Sequence, residues 1–465
     1  MTIIGRKKEM DELRDCVHSD RSHFVAIYGR RRVGKTFLVR SYFNNTFAFY
    51  ATGLANANKT TQLNSFNNAL NKSSSLKLER AEDWLSAFNN LIKVLEQNHQ
   101  QKKIVFLDEL PWLDTRNSGF VTGLEFFWNS WASARNDIIL IVCGSASWWI
   151  IEKIINNKKG LYNRVTKRLK IDPFTLKETK EFLEAKGGNY DNYQVIEFYM
   201  AFGGIPFYLE NIAVKDSAAM NIDRMCFGKN AMMKDEYSQL FSSLFNHPER
   251  HIAVIQALTK QKNGLQRGEI LKYSGLTDGG SFTNLLDELE ACNFIRKYTQ
   301  MGNKSRESVY QLMDNYTLFY HKFLDKAHVA DENVWLNMVN SPTYYAWAGN
   351  AFEMICLQHT HEIKKELGIA GILTQTYAWS NKTSQIDMVI DRKDNVINLV
   401  EAKFSINEFT ITKGYSDNLR NKIGSFRDET KTKKAVWLVM ISTYGLAQSP
   451  YNGLIQSSLT IDMFF

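Results

Sequence analysis

The 465 residues suit about three domains of ordinary size, and a 44% apolar, 23% charged composition is that of a soluble globular protein. A net charge of +8 is a mild excess that permits contact with nucleic acid without establishing it. The five cysteines, Cys16, Cys143, Cys226, Cys292 and Cys356, form no C-x-x-C pair and no spaced Cys/His cluster, which excludes a disulfide scaffold and a zinc site. The sequence turns charged within its first nine residues, so no secretory signal and a cytoplasmic location are expected.

Met10, Leu13 and Val17 recur at helical spacing, predicting a short amphipathic helix before the first strand. Phe24-Val25-Ala26-Ile27-Tyr28 then reads as a buried strand, and Phe37, Leu38 and Val39 open a helical pattern. Between them stands Gly29-Arg30-Arg31-Arg32-Val33-Gly34-Lys35-Thr36, a complete G-x-x-x-x-G-K-[ST] loop. Gly29 and Gly34 let backbone N–H groups turn toward phosphate oxygens at the positive end of a helix. Lys35 is placed to reach the β- and γ-phosphates and Thr36 to bind Mg²⁺, so the chain is expected to bind a nucleoside triphosphate, ATP. The three arginines occupy the variable positions of the loop and are expected to be solvated or to contact a neighbour.

Ile104-Val105-Phe106-Leu107 and Ile138–Cys143 are apolar at every position, as parallel strands covered on both faces are. The first ends in Asp108-Glu109. Asp108 is a candidate Mg²⁺ ligand and Glu109 a candidate base that polarises the attacking water. Ser145 follows the second and is a candidate for the γ-phosphate. The apolar stretch Ile138 to Ile151 holds Gly144, Ser145 and Ser147 and is too short to span a bilayer. Arg164 is a candidate arginine finger, acting in cis or in trans, set against the alternative of a basic surface with Lys167, Arg168 and Lys170. Residues 1–172 thus read as one doubly wound α/β domain with its ligand at the carboxyl ends of the strands.

Residues 173–245 read as helical and include Gly203-Gly204-Ile205-Pro206. Residues 246–335 predict three short helices and a hairpin, Phe294–Thr299 and Ser308–Leu312, about the turn Gly302-Asn303-Lys304: a winged helix-turn-helix. Its expected recognition helix, about 281–292, carries Asp287, Glu288 and Glu290 and no Lys or Arg, which opposes a phosphate backbone. Residues 336–465 predict a helix, strands around 386–403, a second helix and the strand Ala435–Ile441.

Ile4-Gly5-Arg6 with Glu9 and Leu13, the phosphate loop, Leu107-Asp108-Glu109, Leu161-Tyr162-Asn163-Arg164, Pro173-Phe174 and Gly203-Gly204-Ile205-Pro206 together resemble the archaeal-type P-loop ATPases of the AAA+/STAND group. The resemblance implies a helical lid, with the Gly-Gly-x-Pro segment near the nucleotide and Gly5 and Arg6 on the adenine side. It also implies a winged helix and a C-terminal α/β domain similar to PD-(D/E)xK nucleases. Asp387, Glu401-Ala402-Lys403 and the helical Glu353 match that domain's pattern, although Ile386 stands where its Pro would. Glu401 and Lys403 share one strand face. Asp387, Glu401 and Glu353 are candidate metal ligands, and Lys403 a candidate for orienting water.

The sequence therefore predicts a Mg²⁺-dependent ATPase coupled to a nuclease-like domain acting on DNA or RNA, possible as a homo-oligomer or with a partner protein. The alternative is a nucleotide-dependent switch or scaffold whose nuclease-like domain is inactive.

Overall fold

The computed structural model describes residues 2–245, 247–299, 301, 308–325, 333–381 and 383–465. The chain divides into two compact units, one of Met1–Pro173 with Asp287–Asn293, the other of Phe174–Leu286 with Phe294–Phe465. The three expected segments after residue 172 thus fall largely within one unit.

In the first unit, β1 (His23–Tyr28), β2 (Phe49–Thr52), β3 (Lys103–Asp108), β4 (Ile138–Cys143) and β5 (Lys167–Lys170) form a parallel sheet in the order β2-β3-β4-β1-β5. The expected apolar runs became β1, β3 and β4, whose residues are buried apart from the half-buried Tyr28. Two strands were not expected. β2 has four residues, and β5 reads Lys-Arg-Leu-Lys with only Leu169 buried, the charged pattern of an edge strand.

Helices Lys59–Ser73, Trp84–Glu96 and Phe120–Ser130 belong to this unit. Asp83 starts the second by accepting from the Ser86 N–H at 2.7 Å, satisfying a donor that the first helical turn leaves open. Trp84 packs edge-on against Phe66 and Phe120, with ring centroids 5.4 and 4.8 Å away. Aromatic burial of this kind holds the helices on the sheet.

The second unit begins with helices Leu176–Ala185, Asn192–Phe202, Pro206–Glu210, Ala218–Cys226 and Met232–Leu244, as the helical texture predicted. Gly203 (φ 69°) and Gly204 (φ 65°) end the second helix, and Pro206 opens the third. The reversal is locked because Phe174 N–H donates to Gly204 O at 2.8 Å and the Tyr199 hydroxyl donates to Phe174 O at 2.9 Å.

Next come helices Pro248–Leu258, Arg267–Ser274 and Gly280–Ala291, the last of which counts with the first unit from Asp287 on, with β6 (Leu265–Gln266), β7 (Ile295–Tyr298) and β8 (Val309–Leu312), an antiparallel sheet in the order β6-β8-β7. β7 and β8 are the expected hairpin strands; β6 is additional, and the expected turn Gly302-Asn303-Lys304 lies outside the described residues.

The last part is helix Pro342–Gln358, β9 (Thr374–Ser380), β10 (Gln385–Arg392), β11 (Val396–Lys403), helix Lys413–Thr430, β12 (Ala435–Ser442) and β13 (Ser457–Thr460). The sheet order is β13-β12-β11-β10-β9. β9, β10 and β11 are antiparallel, whereas β11, β12 and β13 are parallel. Parallel neighbours need a crossover, and the Lys413–Thr430 helix supplies it between β11 and β12. Its Leu419 and Phe426 pack on Trp379, Leu399 and Leu438.

All five cysteines are free and buried, in line with the expectation of unpaired thiols. Among the described residues no helix is long and apolar enough to cross a membrane.

At Gly204 a Cβ would stand 2.3 Å from Phe174 O, in a backbone conformation that side chains disfavour. Gly204→Ala is expected to lower stability by about 1–3 kcal/mol, read by urea unfolding. An unchanged midpoint would mean that the turn is not held as described.

Candidate nucleotide site and carboxylate cavity

β1 delivers the chain into the phosphate loop. Gly29 (φ 144°) donates its N–H to Ser147 Oγ at 3.0 Å, and a Cβ there would lie 2.2 Å from Ile171 O. Gly34 (φ 89°) leads into helix Lys35–Tyr42. Lys35 is 6% exposed, and its ammonium donates to Gly29 O and Arg30 O, each at 2.8 Å. Burial pushes its pKa down. Arg6, buried and itself at φ 56°, donates to Val33 O at 3.1 Å and lies 3.7 Å from Glu9. Val33 and Arg30 are also buried, whereas Arg31 is exposed. Arg31 is therefore solvated, whereas Arg30 is packed among its neighbours, the two alternatives expected of the loop arginines.

β4 lies between β1 and β3, so the loop following it meets the loops following both. Thr36 Oγ donates to Asp108 Oδ2 at 2.9 Å and Oδ1 at 3.2 Å. Asp108 is buried, and that burial raises its pKa above the usual carboxylate range. Glu109 takes the left-handed conformation (φ 45°), and its N–H donates to Asp108 Oδ1 at 3.0 Å. Its carboxylate accepts from the Ser145 N–H and hydroxyl at 3.2 and 2.9 Å. A hydroxyl and a carboxylate one hydrogen bond apart are hard oxygen donors suited to Mg²⁺. The structure thus brings Lys35, Thr36, Asp108, Glu109 and Ser145 to one edge of the sheet.

Arg164 lies elsewhere. It is exposed in a turn before β5, and Thr166 N–H, two residues on, donates to Phe24 O at the start of β1. The phosphate loop leaves β1 at its other end, roughly 16 Å along the strand. Arg164 thus leaves the backbone near the end of β1 opposite to the phosphate loop.

In the second unit, Glu353, Asp387, Glu401 and Lys403 line one cavity of about 690 Å³. Met388 pairs with Val400, so Asp387 and Glu401 stand side by side on β10 and β11. Asp387 Oδ2 accepts the Ala402 N–H at 3.0 Å. Two cations that sequence reasoning missed complete the cluster. Lys422, on the crossover helix, lies 2.7 Å from each Glu401 oxygen, and Lys262 lies 2.6 Å from Glu353 Oε2. Burial raises the pKa of both glutamates, with Asp387 reinforcing the rise and the lysines opposing it. The carboxylates are of the right kind for a hard metal ion, but they do not converge: among the described residues no three His, Cys, Asp or Glu side chains form a metal cluster. Ammonium groups take the place of a cation at two of them.

Residues 3–212, which take in residues 3–173 of the first unit and the start of the second, match a family model described as an ATPase domain predominantly from Archaea. The chain is 25% identical over 425 residues to an uncharacterized protein of Methanocaldococcus jannaschii, covering 90% of this chain and 91% of that one. The Walker-type ATPase of Pyrococcus abyssi shares its fold at a TM-score of 0.50 and 16% identity, over 69% of this chain and 96% of that one. The ORC2 protein of Aeropyrum pernix, solved with ADPNP and ADP, is similar at a TM-score of 0.41 and 11% identity, over 76% and 95%.

Lys35 carries a folded pKa below its unfolded one, so its charged form opposes folding, and this penalty fades as pH rises through the folded value. Lys35→Met is expected to abolish binding of a labelled ATP analogue without lowering nucleotide-free stability, read by equilibrium binding and thermal melting at neutral pH. Retained affinity would overturn the assignment of the loop.

Proposed function

We propose that this chain is a Mg²⁺-dependent ATPase whose nucleotide cycle controls a nuclease-like domain that engages nucleic acid. The observation that carries the ATPase half is the Thr36–Asp108 hydrogen bond, which unites the two Mg²⁺-binding oxygens beside the Lys35 loop. Lys35 exchanges carbonyl partners for phosphate oxygens, and the loop's N–H groups hold the remaining phosphate charge. Thr36 and Asp108 would hold Mg²⁺, which would supply neutralisation of the phosphate charge. Glu109 orients and polarises water once its carboxylate leaves Ser145. Arg164 acts in trans, on a site of a second copy.

For the second unit, the three helices followed by the β7–β8 hairpin have the element order of a winged helix. Asp387, Glu401 and Lys403 on adjacent strands, with Glu353 on the preceding helix, support a PD-(D/E)xK-like reading. Lys403, Lys422 and Arg420 line the same cavity and supply positive charge for a phosphate backbone, of DNA or RNA. The switch or scaffold reading has its own support: Lys262 and Lys422 neutralise the two glutamates that cleavage would need.

Glu109→Gln is expected to bind ATP normally while phosphate release falls by about 10²–10⁴-fold, read in a single-turnover assay. Normal hydrolysis would assign the base elsewhere. Plasmid nicking with Mg²⁺ or Mn²⁺ is expected of the wild type and lost in Lys403→Ala; an inert wild type on single- and double-stranded DNA and RNA would favour the scaffold.

A further inference from the structure

Helix Lys59–Ser73, in the first unit, carries the carboxamides of Gln62, Asn64, Asn67, Asn68 and Asn71. The two buried ones each hold a piece of main chain with both of their polar ends. Gln62 Oε1 accepts the Leu54 N–H at 3.0 Å, and its Nε2 donates to Leu54 O at 2.6 Å. Asn67 Oδ1 accepts the Ala81 N–H and its Nδ2 donates to Ala81 O, each at 3.0 Å. A carboxamide offers an acceptor and a donor side by side, so it pairs with a residue's N–H and C=O as a neighbouring strand would.

Residues 77–81 pass this helix without helix, turn or bend. Asn67 holds Ala81, and Asn90, on helix Trp84–Glu96, donates to Glu79 O at 2.7 Å. Successive residues of an extended chain aim their main-chain groups to opposite sides, so Glu79 and Ala81 are engaged on one side. The other side falls to Leu78 and Arg80, whose main-chain N–H and C=O groups have no hydrogen-bond partner among the described residues. A row of unpaired main-chain groups is the edge to which a further extended chain adds.

A cavity of about 350 Å³ opens beside this segment, lined by Leu78, Glu79 and Arg80 and, from the helix, by Asn64, Asn68 and Asn71. The three asparagines stand at i, i+4 and i+7, on one helix face. The Arg80 guanidinium donates to Asn64 Oδ1 and ties the two walls together. Asn68 and Asn71 are exposed, and among the described residues their carboxamides have no partner.

We infer that this groove binds an extended peptide segment of a partner protein by its main chain, with Asn68 and Asn71 gripping it as Gln62 and Asn67 grip the protein's own. Such recognition accepts many sequences, because its hydrogen bonds go to groups that every residue except proline carries. Leu70 and Leu78 give the groove an apolar surface for alternate side chains of the guest. One carboxylate, Glu79, and one guanidinium, Arg80, leave the walls without the net positive charge that a phosphate backbone requires. A peptide therefore fits where a nucleic acid does not.

Fluorescence anisotropy of a fluorescein-labelled heptapeptide of alternating Val and Ser, titrated with the full chain, tests this. The wild type is expected to bind it, and Asn68→Ala and Asn71→Ala each to weaken binding by about tenfold, the loss of one carboxamide's two hydrogen bonds. The same peptide N-methylated at alternate main-chain nitrogens is expected not to bind. Both asparagines are exposed and alanine is the better helix former, so the variants are expected to melt at or above the wild-type temperature. No wild-type binding at millimolar peptide, equal affinity in wild type and both variants, or equal affinity for the N-methylated peptide would each overturn the proposal. An oligonucleotide that binds the wild type and loses affinity in Asn71→Ala would overturn it in favour of a nucleic-acid site.

Discussion

A single buried ammonium group constrains the N-terminal unit more than any other feature. Lys35 is turned inward on the carbonyls of Gly29 and Arg30, which satisfy its hydrogen bonds only in part of the way a phosphate would. Holding that cation at the sheet edge requires the loop to curl tightly, which requires Gly29 to approach the Ile171 backbone with no side chain in the way. It also requires a rigid strand behind the loop, which the fully covered β1 provides. The charge is thus poorly solvated and rests on two carbonyl oxygens alone.

The carboxylates on the far side of the same edge follow matching logic with the sign reversed. Asp108 is buried and leans on the Thr36 hydroxyl, and Glu109 leans on Ser145, so each anion has a temporary neutral partner. Because β4 separates β1 from β3, Ser145 is the residue positioned to hold Glu109. Strand order therefore decides which polar groups can meet at the carboxyl edge. It also sets Arg164 toward the opposite ends of the strands.

The C-terminal cavity resolves a comparable problem differently. Burial raises the pKa of Glu353 and Glu401, and covalently tethered ammonium groups offset that cost. Tethering the counter-ion to two different segments links the state of the cavity to the placement of those segments. A freely diffusing ion would not create such a link.

The phosphate loop, the acidic end of β3 and the Glu-x-Lys strand were legible in the residues because each signal is local: a motif bounded by a strand and a helix, or charges two apart on a strand. β1, β3 and β4 declared themselves by unbroken apolar runs, since both of their faces are covered. β2, β5 and β6 escaped notice because they are short or carry edge-strand charge, so pairing with a neighbour, rather than side-chain pattern, makes them strands. Lys262 and Lys422 lie 91 and 21 residues from the glutamates they neutralise, and no spacing rule connects such positions. The sequence by itself singled out the candidate groups. Only the tertiary structure decided which of them stand together and which are already occupied, because side-chain proximity across a sheet is set by strand order and register, which local propensities do not encode.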